Sequence, residues 1–364
     1  MILHYYFARR FALIFFAIFA IFLLILGFLD LVDQLRRFGG SEASLLEIAS
    51  LTGLGLPTAL YTILPLIVIL SSIVLFLSLA RSSEMVVTRA AGRSALKALL
   101  APLAVVLLIG LLAVGVGNPI VAGTSKLAEQ RLGELRGNTS VLALGETGLW
   151  LRQGDADGQI VIGAETTNLD GTELSEVTFI VMRPGEGPVT RIEAARARLT
   201  PGAWEVEDAK VWDLVGSEIP EAEALESATM TVPSTLTADQ IRDSFGTPSS
   251  IPFWELPGFI DRLQRAGFSA RRHMVWFQSE LAQPVFLMSM VLIGAAFTLR
   301  HQRGQRTGLM VLMSILLAFI LYFIRNFAMV LGENGQLPPV LAAWAAPLAA
   351  VGLSMGFLLH HEDG

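Results

Sequence analysis

Residues 48–80 read IASLTGLGLPTALYTILPLIVILSSIVLFLSLA, a stretch of 33 residues without a single Asp, Glu, Lys or Arg. A bilayer-spanning helix needs about 20 consecutive apolar residues, so this stretch reads as a membrane span, with its apolar part richest after Leu56. The same test is met at Phe11–Leu29, Ala98–Ser125, Leu281–Leu299, Gly308–Ile324 and Leu337–Leu359, giving six expected spans. Composition agrees. Of 364 residues, 53% are apolar and 16% are charged, against about 25% charged in an average soluble domain, and the mean hydropathy is +0.59. A disordered chain, a coiled coil and an ordinary cytosolic enzyme are excluded. The absence of cysteine removes disulfide scaffolds, thiolate metal sites, Fe–S clusters and Cys nucleophiles together.

No apolar run of spanning length lies between Lys126 and Glu280. That region holds 14 Lys/Arg and 24 Asp/Glu, whereas the rest of the chain carries a net +4. The expected order is therefore three helices (1–125), an acidic insert with a helical return (126–280) and three helices (281–364). Arg9-Arg10 before an apolar run resembles a secretory signal, but the run is too long and lacks a small-x-small cleavage site, so it reads as a retained helix. With the N-terminus in the cytoplasm, the cytoplasmic segments hold Arg9, Arg10, Arg81, Arg89, Arg93, Lys97, Arg300, Arg303 and Arg306. The short outer segments hold only Arg36, Arg37 and Arg325. This bias places both termini inside and the acidic insert outside, in the periplasm of a Gram-negative cell.

Within the insert, alternation with period two predicts strands. Leu149 and Leu151 oppose Trp150 and Arg152, and Val177, Phe179 and Val181 oppose Thr178, Ile180 and Met182. Trp204 and Val206 oppose Glu205 and Glu207, and Ala228, Met230 and Val232 oppose Thr229 and Thr231. Turn signals such as Asp170-Gly171 and Pro201-Gly202 separate them. Short strands at this spacing predict an all-β, jelly-roll-like domain or a sandwich. The two-sided apolar strand Val177–Met182 is either fully buried or lines an apolar groove.

The loop from Arg81 to Lys97 carries the most function. Ser82 or Ser83 can cap a short helix over about 82–92, with Glu84 in its first turn, where the helix dipole favours an anion. Gly92 can end that helix and Ser94 can cap the next. At about 100° per residue, Val86, Val87, Ala90 and Ala91 share one face, Glu84 flanks it and Arg89 lies opposite. Such a helix either docks into a groove on another protein or rests on the lipid surface.

The run Ser-Glu-Met-x-Val-x-Arg-Ala-x-Gly-x-Ser from Ser83 to Ser94 resembles the cytoplasmic loop of the LptF/LptG permeases, the membrane subunits of the ABC transporter that exports lipopolysaccharide. The resemblance extends over nearly the whole chain. Leu31-Val-Asp-Gln-Leu-Arg-Arg37 and Leu337-Pro-Pro-Val340 resemble the LptG branch more than the LptF branch. The family implies LptF, an LptB dimer and LptC as partners, with ATP and Mg used on LptB and no cofactor bound by this chain. It implies that Glu84, Met85, Val86, Val87, Arg89, Ala90 and Ala91 dock on LptB, Glu84 pairing with a basic residue there. It also implies that Arg36 and Arg37, at the outer end of helix one, contact lipopolysaccharide phosphates.

A lipid carrier needs cations at the outer boundary, and Arg makes bidentate phosphate contacts; Arg325 would lie near the outer end of helix five as a second cation. The alternatives are the paralogous LptF role and, from another class, an intramembrane lipid-modifying enzyme. The latter should show acid, base or nucleophile clusters within the spans, and the six apolar runs show almost none. Gly352-Leu-Ser-Met-Gly356 matches a hydrolase elbow but lies inside a span, where small residues serve helix packing. No phosphate-binding loop occurs, so an ATP-driven system would need a separate ATPase.

Overall fold

The computed structural model describes residues 2–38, 44–82, 84, 95–136, 142–145, 148–155, 158–167, 171–183, 187–216, 219–234, 236–237, 241, 247–265, 269–298 and 307–362. They fall into two compact units: Met1–Arg131 with Pro248–Leu256 and Arg271–Gly364, and Leu132–Thr247 with Pro257–Ala270.

The helices are α1 (Ile2–Phe38), α2 (Leu45–Arg81), α3 (Ala95–Leu112), α4 (Asn118–Arg136), α5 (Leu256–Arg265), α6 (Arg271–Thr298), α7 (Thr307–Glu333) and α8 (Pro339–Glu362). A π-helical turn, Ala113–Gly117, joins α3 to α4 without a break. Among the described residues, six helices are long and apolar enough to cross a bilayer: Leu3–Phe38, Leu45–Arg81, Lys97–Ala128, Arg271–Thr298, Gly308–Glu333 and Pro339–His360. The chain is a multi-pass helical membrane protein with an inserted β domain.

The helices overrun the apolar runs at their ends. At the start of α2, the Ser44 hydroxyl accepts from the Glu47 N–H while the Glu47 carboxylate accepts from the Ser44 N–H, a reciprocal cap that satisfies two otherwise orphaned donors. At the start of α6, helix begins at Arg271, ten residues before the apolar run.

The bundle is built around α6. Val275, Ala282, Phe286, Leu287, Met290, Val291, Ile293 and Ala295 are all buried, and α6 packs on α2, α3, α7 and α8. Two glycines permit the closest approaches. A Cβ on Gly110 would lie 2.7 Å from the Cα of Pro284, and one on Gly294 would lie 2.8 Å from the Cβ of Ser72. Lipid is as apolar as leucine, so helices in a bilayer associate through such close packing rather than by a hydrophobic drive. By contrast, α1 fully buries Phe7, Phe11 and Phe15, spaced four apart along one stripe, and packs further half-buried side chains such as Ile18, Phe22 and Leu26 against the bundle. A Cβ on Gly352 or Gly356 of α8 would meet nothing within 4 Å among the described residues.

The second unit holds a seven-stranded antiparallel sheet of β1 (Leu142–Gly145), β2 (Gly148–Asp155), β3 (Gly158–Thr167), β4 (Glu173–Arg183), β5 (Gly187–Thr200), β6 (Ala203–Asp213) and β7 (Leu225–Pro233), paired in sequence order. The inserted β domain is thus as the alternation predicts, and its strand order is that of a meander. Tight turns explain the order. Thr200 pairs with Ala203 across Pro201-Gly202, with Gly202 at φ +88°, and so short a connection can only join antiparallel neighbours. One face carries the core, where Trp204 and Phe179 are fully buried and meet edge to face. The strand Val177–Met182 has one buried face, Val177 and Phe179, and one half-buried face, Thr178 and Ile180.

Regular pairing skips one residue on each of five adjacent strands, at Glu165, Glu176, Ala195, Asp208 and Ala228. The skipped positions stand opposite one another and form a crease across the sheet. Glu176 and Asp208, flanking Ala195 on either side, have φ of 51° and 53°. A left-handed conformation costs a non-glycine residue about 1–2 kcal/mol, and such interruptions bend a strand and raise its twist. We expect Glu176→Val to lower the unfolding midpoint of the purified protein by the equivalent of about 1–2 kcal/mol, because a β-branched residue resists positive φ. Glu176→Gly should leave it unchanged or higher in the same thermal scan.

Candidate functional site

Glu84 stands three residues beyond the last residue of α2, and its carboxylate faces back toward α1. Arg10 Nη1 donates to Glu84 Oε1 at 2.8 Å and to Oε2 at 3.0 Å, and the Ser82 hydroxyl donates to Oε1 at 2.7 Å. Arg10 also donates to the Tyr6 hydroxyl at 2.6 Å and lies over the Tyr6 ring. Partial burial pushes the Glu84 carboxyl up, but hydrogen bonds from Arg10, Ser82 and Tyr6 outweigh it and hold the group below the usual carboxylate range. A carboxylate lowered in this way keeps its contribution throughout neutral pH, and loses it only as pH falls through the lowered value. About a third of the Glu84 side chain remains exposed. Met85, Val86, Val87, Arg89, Ala90 and Ala91 lie outside the described residues.

Arg36 and Arg37 end α1, and both are exposed. Arg37 pairs with Asp33 one turn earlier at 2.8 Å, with both side chains more than half exposed. An exposed i,i+4 pair contributes only about 0.3–0.5 kcal/mol, so the guanidinium can exchange that carboxylate for another anion at little cost.

Arg325 is placed elsewhere. It is 8% exposed, inside the bundle, where it donates to the Ser279 hydroxyl at 2.8 Å and lies over the Phe286 ring at 4.6 Å. It belongs to a polar cluster that the apolar runs did not reveal. Next to Ser279, Glu280 accepts a hydrogen bond from the Tyr61 hydroxyl of α2. The Asn118 carboxamide accepts from the Phe253 N–H at 2.8 Å through its oxygen, which leaves its nitrogen to donate to Glu280. The π-helical turn just before Asn118 offers its Gly115 carbonyl to the Trp254 indole N–H at 3.0 Å. Turns of this kind are often found at functional positions. Arg325 is thus not brought together with Arg36 and Arg37; it is part of the interior.

Beside this cluster an apolar cavity of about 190 Å³ opens between α2, α6 and α7, lined by Thr62, Pro65 and Leu66, by Met290 and by Phe319 and Tyr322 among others.

The family model for the lipopolysaccharide export system permease LptF/LptG matches residues 5–360. The chain belongs to the LptF/LptG permease family. It is 23% identical over 325 residues to the lipopolysaccharide export system permease protein LptG of Escherichia coli K12, covering 87% of this chain and 86% of that protein. It is 22% identical over 335 residues to the protein of the same name from Haemophilus influenzae, covering 91% and 90%. As an LptF/LptG permease the chain is a transport protein, and the match runs through both the helical spans and the β insert.

The residues missed from sequence in this LptF/LptG chain are Tyr61, Asn118, Ser279 and Glu280. Glu280 reads as the last charge of the acidic insert until the helix is seen to start at Arg271. The available signal was the helical continuation: Glu280 precedes Pro284 by four residues, so both occupy one face. In an apolar interior a carboxylate that loses a donor carries the desolvation cost, about 1–3 kcal/mol or more. We therefore expect Tyr61→Phe to lower the thermal midpoint of the detergent-purified protein by that amount. Tyr5→Phe, at a residue 71% exposed, should not shift it.

Proposed function

We propose that this chain is the LptG-type permease subunit of an ABC transporter. That transporter would extract lipopolysaccharide from the inner membrane and pass it to a periplasmic bridge toward the outer membrane. The observation that carries the reading is the Glu84 carboxylate, held ionised and part-exposed just beyond α2, in a chain that matches the export permeases over residues 5–360. A charged group at that position is suited to receive a cation on a separate ATPase, and the helical spacing of Val86, Val87, Ala90 and Ala91 in the sequence would supply an adjoining apolar face. The reading assigns LptF, an LptB dimer and LptC as partners, with ATP and Mg used on LptB. It sets both termini in the cytoplasm and the β insert in the periplasm, as the arginine bias supports.

Arg36 and Arg37 then stand at the outer end of α1, at the level of the phosphates of an outer-leaflet lipid. The cavity between α2 and α7 offers an apolar wall for acyl chains.

Glu84→Ala should lose the co-purifying ATPase, or its lipid-stimulated hydrolysis; retention of both with normal export would refute the docking assignment. Arg36→Ala with Arg37→Ala should weaken capture of phosphorylated lipid A about tenfold or more, since each charge-assisted hydrogen bond contributes about 1.5–3 kcal/mol. Photo-crosslinking of dephosphorylated lipid A should barely change. Equal losses for the two lipids would show that the arginines position α1 rather than hold phosphate.

A further inference from the structure

The Arg10–Glu84 contact joins two elements 74 residues apart. Arg10 is anchored on α1 by Tyr6, one turn before it, and Glu84 is anchored to the end of α2 by Ser82. Both charged side chains are about two-thirds covered, so the pair is better shielded from solvent than a surface ion pair. Elsewhere along its length α1 is held by apolar side chains, from Phe15 and Ile18 to Phe22 and Leu26. Van der Waals packing holds such helices together but supplies no directed bond. A directed, charge-assisted hydrogen bond does fix register.

We infer that Arg10 is a positioning residue that ties the segment following α2 to α1, so that α1 follows any displacement of Glu84. The inference rests on the reading of Glu84 as the docking carboxylate and adds what the docking would move. About a third of the Glu84 side chain is exposed, so a cation on a partner can approach the carboxylate while Arg10 stays in place. On α1, Arg36 lies 26 residues beyond Arg10, about 39 Å along a helix rising 1.5 Å per residue. An unbroken helix of that length transmits a shift at one end to the other. α1 is thereby a rod between the ATPase contact and the arginines proposed to hold lipid phosphate.

The test uses the whole transporter, reconstituted with its ATPase in proteoliposomes, with lipopolysaccharide release and phosphate production followed together. Arg10→Gln should retain the ATPase and its basal hydrolysis, while lipid released per ATP falls by roughly tenfold, the scale of one charge-assisted hydrogen bond. Arg10→Lys should recover most of the loss, and Arg9→Gln, at an exposed neighbour, should behave as the native chain. Unchanged lipid per ATP in Arg10→Gln overturns the inference, as does loss of the ATPase from that variant, which would make Arg10 part of the docking surface. Should Arg10→Gln fail to accumulate, Tyr6→Phe carries the test: a smaller loss of lipid per ATP is expected, and no loss overturns the inference. Glu84→Gln separates the two readings. If it keeps the ATPase and normal hydrolysis, the docking assignment fails, whereas a loss of lipid per ATP in Arg10→Gln still shows α1 tied to that segment.

Discussion

A bilayer supplies no hydrogen bonds, so the backbone of each span must satisfy its polar groups within the protein, and charged side chains inside the bundle are costly unless they face one another there. The arrangement of this chain around α6 follows from that constraint. α6 carries Ser279 and Glu280 at positions that are buried on every side, and its neighbours provide what those groups lack: Tyr61 from α2, Asn118 from α4 and Arg325 from α7. The proline at 284 cannot donate to the carbonyl one turn back, which adds a further acceptor to the same level of the helix. A carboxylate and a guanidinium within one apolar bundle offset each other's charge, and neither is placed against lipid. Removing either would leave the other uncompensated, which makes the cluster a fixed point for four helices rather than a lipid contact.

The consequence is an uneven bundle. α6 is enclosed, whereas α1 and α7 present apolar side chains outward, among them Phe16, Leu24 and Phe28 on α1 and Phe319, Phe323 and Phe327 on α7. α7 thus joins the polar cluster through Arg325 on one side and presents apolar side chains on the other. The polar attachment of α1 to a neighbouring element is Arg10 near its start, whereas the Asp33–Arg37 pair at its other end lies within the helix.

Much of this was legible in the sequence, for a physical reason. Hydropathy over a span-length window sums many equal contributions, so a run such as residues 48–80 admits no other reading. The alternation around Phe179 and Trp204 identified core strands because one sheet face is buried. What was not legible depended on single residues or on order. Glu280 and Arg325 terminate apolar runs, and a charge at the end of a run looks like a boundary; only the helix extending back to Arg271 and on to Glu333 shows that both lie inside. Strand spacing is compatible with a meander or with a jelly roll, because it records lengths and not pairings. Glu84 was recognisable as a flanking carboxylate, but its engagement with Arg10 joins residues 74 apart and leaves no periodic trace.

The crease across the sheet shows the same limit in another form. Glu165, Glu176, Ala195, Asp208 and Ala228 are not all of one residue type and have no common spacing, yet they fall on one line because each hairpin fixes the register of the next. In a meander a one-residue offset in one strand cannot be absorbed locally; the neighbour must skip as well or turn its side chains to the wrong face. Two of the five residues take a left-handed conformation, and their acidic side chains remain exposed while Ala194, Ala197, Val206 and Ala209 stay buried on either side. The interruption thus bends the sheet while preserving its core face. A fold of consecutive hairpins can gain curvature in this way without any strand crossing to a second sheet.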